Sequence, residues 1–196
     1  MSGPLAQPGP LGWMMQEIQA RVQQGFPPKY FDFEIMPQKA DREWFNRSLK
    51  RTAFVALGWN GTKAEGKGGV FGGEASFTLA LITRNPVISA RYMGDALAPG
   101  LFAMVRVATL LLNGFDIEPA GTDWTPSSSI VVNGIGNLYN EDWGRSDIAV
   151  AALDLSMVYE EMLPPGLEQS PSGSLSLNLG WNFGGETVLT ANIGGA

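Results

Sequence analysis

The sequence predicts an α+β fold. It should be a mostly antiparallel sheet with two helices on one face, in the order helix, strand, strand, strand, helix, strand, strand, followed by a C-terminal β-hairpin. Three observations predict it. The run Ala96 to Phe115 has the apolar spacing of a core helix, several other runs alternate apolar and polar residues as half-buried strands do, and 25 glycines and 13 prolines punctuate the chain.

The long helix organises the rest. Leu97, Leu101, Met104, Val105, Ala108, Leu111, Leu112 and Phe115 fall on one continuous helical face, and Asn113-Gly114 is a stop signal. Phe102 and Leu110 lie off that face, so the helix is apolar on more than one side. One side needs the sheet, and the other suits a neighbouring subunit. Arg106 in mid-run, and a length short of the roughly 20 apolar residues a bilayer requires, argue against a membrane span.

Before it, Leu11, Met15, Ile18 and Val22 are spaced as the buried stripe of an amphipathic helix ending near Gly25. Tyr30 to Met36 alternates, with Phe31, Phe33 and Ile35 on one side, and Pro37 ends it. Residues 51–59 and 74–83 read as consecutive strands, the second with Phe77, Leu79 and Leu81 on one face. Between them NGTKAEGKGGVFGG reads as a fourteen-residue hairpin loop. After the long helix, residues 116–129 form a turn-rich crossing. Residues 130–139 and 148–159 then make a strand pair in which Leu153, Leu155, Met157 and Tyr159 share a face. The tail SLSLNLGWNF, Gly-Gly, TVLTANI is a small hairpin.

These segments divide the chain into a flexible arm (1–10), an α+β domain (11–160), a linker (161–173) and a hairpin arm (174–196). At 196 residues the chain suits one core of ordinary size. It holds no cysteine and no histidine, which removes thiol nucleophiles, disulfides, imidazole bases and the zinc sites built on them. No basic and apolar leader opens it, so a cytoplasmic origin is expected. The net charge of −6 is unevenly spread: residues 1–106 carry 12 basic and 8 acidic side chains, whereas 107–196 carry Arg145 and 11 acids. Such an asymmetry either favours head-to-tail association or is simply solvated.

Motifs that suggest chemistry fail on inspection. Gly61 to Lys67 matches GxxxxGK, but Gly68 stands where a magnesium-binding Ser or Thr is required and no helix follows to receive phosphate. The acid pairs Glu141-Asp142 and Glu160-Glu161 are adjacent residues that point apart. Trp124, Trp143 and Trp181, near loops, leave open a sugar-stacking or receptor-binding β module. No catalytic residue, cofactor or metal is expected, and the chain is read as a non-enzyme.

The element order, the helix MVRVATLLLNGF and the final strand pair ending in LDLSMVYE resemble the tail terminator, or tail-completion, proteins of Mu-like contractile-tailed bacteriophages, over residues 14–160. The resemblance implies a structural virion protein made in the host cytoplasm. It would form a homohexameric ring that caps the tail tube and joins it to the neck connector and the sheath. Its partners would be copies of itself, the tube, sheath and connector proteins, and genomic DNA in the lumen. Residues expected at subunit or tube contacts are Lys63, Lys67 and Phe71 on the Gly-rich hairpin, the strip Arg47, Lys50 and Arg51, Phe102, Arg106 and Leu110 on the long helix, and Trp181 in the tail. The hairpin either meets DNA through its lysines or adds strands to a neighbour's sheet.

Overall fold

The computed structural model describes residues 9–37, 43–44, 53–64, 70–119, 124–137, 147–162, 177–183 and 186–193. It is an α+β protein whose helices are α1 (Gly9–Gly25), α2 (Ile88–Met93) and α3 (Leu101–Leu112). The strands are β1 (Asp32–Ile35), β2 (Ala53–Ala64), β3 (Val70–Arg84), β4 (Trp124–Pro126), β5 (Val131–Asn137), β6 (Ile148–Met162), β7 (Leu177–Phe183) and β8 (Glu186–Ile193).

Six strands form one mixed sheet in the order β1-β2-β3-β6-β4, with β5 also on the β6 edge, and β7 and β8 form a two-stranded sheet. The centre is long and antiparallel: β3 and β6 pair residue for residue from Val70↔Met162 to Arg84↔Ile148. Their alternation puts Phe77, Leu79 and Leu81 on the same face as Leu153, Leu155, Met157 and Tyr159, all buried in the core with α1 and α3. Ala80, Ile82 and Val150 face the other way, into a smaller cluster with Phe54 and Trp44, whose rings meet edge to face at 5.7 Å.

Helix α1 buries Pro10, Met14, Ile18 and Val22. The buried methionine is thus Met14, with Met15 and Leu11 half-buried. Proline is compatible with this position because the first helical turn leaves its amides unpaired in any case. Contact with α3 depends on Gly25: a β-carbon there would stand 2.7 Å from both Leu111 Cδ1 and Val107 Cγ1. Arg21 fastens the same seam, donating from Nε to the Leu111 carbonyl at 3.1 Å while its guanidinium lies 4.9 Å from the Phe115 ring centre.

Several sequence expectations are corrected. The long helix begins at Leu101, not Ala96, because Pro99 disfavours helical geometry at the preceding residue and Gly100 becomes the N-cap. Leu97 therefore leaves the core face. Residues 94–100 instead make a turn in which Asp95 N–H donates to Ala98 O at 3.0 Å and Asp95 Oδ1 accepts from the amides of Leu97 and Ala98. These amides, Leu97 first, and the Asn85 side chain hold the Asp95 carboxyl below the usual carboxylate range, against a smaller opposing effect of burial. The described residues include a third helix, α2, which the apolar spacing of the sequence does not mark. Strand β1 pairs with β2 in parallel, so the sheet is mixed, and Ile35 is exposed.

The fourteen-residue loop is largely strand. β2 continues to Ala64 and β3 starts at Val70, and Asn60 is the extra residue of a bulge between the pairs Trp59↔Phe77 and Gly61↔Ser76. Glycine here marks the bulge rather than a loop. In the crossing after α3, Trp124 to Pro126 form β4 on β6. The C-terminal hairpin pairs as the sequence indicates, Leu177↔Ile193 to Phe183↔Glu186.

Candidate subunit interface

The surface feature that stands out is an apolar stripe on α3. Leu101, Met104, Ala108 and Leu112 point into the core. A helix of this composition has apolar residues to spare, and they are turned outward: Phe102 is 60% and Leu110 71% exposed, with Val107 and Arg106 also exposed between them. Just before α3 in the chain, Met93 at the end of α2 is 73% exposed and Leu97 in the corrected turn 95% exposed. Tyr92 of α2 supports Phe102, ring centres 5.5 Å apart, so this aromatic is held in place rather than loose on the surface.

The turn that presents Leu97 is anchored on both sides. Asn85 Nδ2 donates to Asp95 Oδ2 at 2.9 Å, and Gly94 bridges to Pro99. Beneath it, buried Arg91 donates to the Asn85 and Ile148 carbonyls at 3.0 and 3.3 Å, and the Thr83 hydroxyl donates to Arg91 O at 3.0 Å. This network ties α2 to the ends of β3 and β6. Rigid support under exposed apolar side chains lowers the entropic cost of covering them.

Strand β5 flanks α3. Val132 N–H donates to Asn113 Oδ1 at the helix C-terminus at 3.1 Å, and Gly114 N–H to Ile130 O at 2.8 Å. Ile135 pairs with Leu153, which places it on the helix side of the sheet, yet it is 51% exposed.

Of the residues expected at contacts, the structure brings Phe102, Arg106 and Leu110 together on this stripe. Lys63 lies on β2, exposed and opposite Glu74, one residue before the strand ends, and so in a paired strand of the Gly-rich hairpin and not in a loop. Phe71 and Trp181 occupy β3 and β7, in register with Glu161 and Leu189. Lys67, Arg47, Lys50 and Arg51 lie outside the described residues, as does Trp143. Met93, Leu97 and Ile135 were missed. Helical spacing alone puts Leu97 on the core face, and the Asp95–Pro99 pattern, an Asx turn closed by proline, is the signal that moves it out.

Other features offer less chemistry. Trp124 is buried in β4, so it cannot serve in a sugar-stacking platform. Gly61 to Ala64 are extended in β2, not arched as a phosphate loop. An open groove of about 450 Å³ lies beside Met36, Pro37, Gly58, Trp59, Asn60 and Gly61, and among the described residues none of those lining it is titratable. Among the described residues no three acidic groups converge as a metal site would require, and no helix is long and apolar enough to cross a membrane.

No family model and no curated protein matches the chain.

Proposed function

We propose that this protein is a structural subunit that closes into a ring, and that the ring is the terminator of a contractile phage tail, capping the tube and joining it to connector and sheath. The observation that carries the reading is the exposed stripe of Leu97, Phe102 and Leu110, backed by a fixed scaffold. Several large apolar side chains exposed along one helix and the turn that leads into it mark a candidate contact surface. A helix that packs on its own sheet with one face and offers a second apolar face is suited to repeating, head-to-tail association. The assignment to a phage tail is supported by the resemblance in MVRVATLLLNGF and LDLSMVYE. On this reading the protein is not an enzyme, takes no cofactor, and resides in the virion after assembly in the host cytoplasm.

The test is to mix the purified protein with tail tubes of its phage and locate it by antibody labelling in electron micrographs. Label at one end of each tube is expected. Label along the tube walls, or none on the tubes, would contradict the assignment.

A further inference from the structure

We propose that Asn60-Gly61, in the bulge of β2, is a site of spontaneous covalent modification, the place at which the folded chain deamidates first, with water as co-reactant. Asn-Gly occurs three times in the sequence, at 60–61, 113–114 and 133–134. Glycine favours the reaction because it puts no side chain beside the attacking nitrogen. A solvent base takes the proton of the glycine amide. The nitrogen then forms a bond to the asparagine Cγ, the Cγ–Nδ2 bond breaks, and the leaving nitrogen takes a proton from solvent and departs as ammonia. Water opens the resulting succinimide ring at either carbonyl, which gives aspartate or isoaspartate, and nothing is oxidised or reduced.

The fold treats the three pairs differently. At Asn113, the residue that ends α3, both reacting groups are held. The Gly114 amide donates to the Ile130 carbonyl at 2.8 Å, and Asn113 Oδ1 accepts from the Val132 amide at 3.1 Å. Attack there requires both bonds to open, so the end of α3 must part from the start of β5. Asn133 is the extra residue of a bulge in β5, between the pairs Val132↔Leu155 and Gly134↔Asp154, and its Nδ2 donates to the Ser156 hydroxyl at 2.9 Å. A β-carbon built on Gly134 would stand 3.7 Å from Asp154 Oδ2. A carboxylate therefore faces this glycine, and its negative charge opposes loss of the amide proton.

At Asn60 these restraints are weaker. Asn60 is the extra residue of the β2 bulge, where the ladder is interrupted. Its Nδ2, the leaving nitrogen, donates to the Thr78 hydroxyl at 2.8 Å. Among the described residues, no atom outside its chain neighbours lies within 4 Å of the place a β-carbon would take on Gly61. The groove beside Met36, Pro37 and Trp59 opens on this pair, so base and water have access to it. Conversion would have a local consequence. Residue 60 would no longer donate to the buried Thr78, whose hydroxyl also donates to Asp154 Oδ1 at 3.5 Å, and two carboxylates would then compete for one proton. Isoaspartate would add a methylene to the backbone of β2 within the bulge.

The test follows the full-length protein in mildly alkaline buffer, folded and, in parallel, in concentrated urea. Aspartate and isoaspartate at positions 60, 113 and 133 are quantified over time by peptide mass spectrometry. In the folded protein Asn60 is expected to convert about tenfold faster than Asn113, whose two hydrogen bonds must first open, with Asn133 between them. In urea the three rates should come within about threefold of one another, because the unfolded chain has lost those bonds. Conversion of Asn113 or Asn133 ahead of Asn60 in the folded protein would overturn the proposal. A tenfold lead of Asn60 that persists in urea would overturn it as well, since the lead would then belong to the local sequence and not to the fold.

Discussion

Leu112 and Leu111 are neighbours in sequence with different duties. Leu112 is fully buried in the core, while Leu111 is half-buried in the seam with α1 near Gly25. Leu112→Ala should therefore cost about 2–5 kcal/mol, the range for leucines that leave a cavity, and Leu111→Ala less than about 2 kcal/mol. Urea unfolding of the two variants checks the order, and equal losses would mean that the register of α3 is wrong. Tyr159 gives a prediction in pH. Burial in the core raises its hydroxyl pKa above the ordinary tyrosine value, with the Thr62 hydroxyl beside it opposing and the charge of Glu161 adding. The fold holds this proton more tightly than the unfolded chain does. Its contribution is complete below about pH 10 and is lost as the pH rises towards the folded-state value. Tyr159→Phe should change stability at neutral pH by no more than about 1.5 kcal/mol and should reduce the alkaline loss seen in the parent protein. An unchanged alkaline limb in thermal melts would assign that loss to other groups.

At the scale of elements, the account requires that the outer face of α3 serve association and not folding. Leu110→Glu and Phe102→Glu, both at exposed positions, should leave the thermal midpoint within a few degrees of the parent and reduce the particle to monomer at micromolar concentration. Sedimentation with a parallel melt checks this, and a collapsed midpoint would show that the stripe belongs to the core of its own chain. The existence of α1, α3, the strands β1, β2, β3, β5 and β6 and the C-terminal hairpin is legible in the sequence because apolar periodicity is a local signal that burial then obeys, as in Phe77-Leu79-Leu81. What was not legible depended on partners distant in sequence. β1 is only four residues long and acquires its parallel direction from β2, β4 exists because three residues meet Tyr159 to Glu161, and the glycines at 72 and 73 read as loop although β3 runs closely between β2 and β6 there. The stripe itself was half legible. Phe102 and Leu110 fall off the core face by spacing alone, but Leu97 needed the turn around Asp95.

At the scale of the whole molecule, the two halves of the sequence that differ in charge are joined among the described residues. β3 from the basic half and β6 from the acidic half share the middle of one sheet, and Arg84 joins Asp147 across the division at 2.7 Å. Charge complementarity between sequence halves therefore has less leverage on assembly than their totals suggest. Association through Phe102, Leu110 and Leu97, with Arg106 as the charged member of the stripe, should persist at ionic strengths that screen surface charges, where the Debye length falls to about 3 Å at 1 M salt. Native mass spectrometry of the full-length protein at low micromolar concentration, before and after exposure to 1 M salt, tests the central claim most directly. The account predicts a closed oligomer of the 21.0 kDa chain, six copies, that survives the exposure. A particle with the mass of a single chain under both conditions would contradict it.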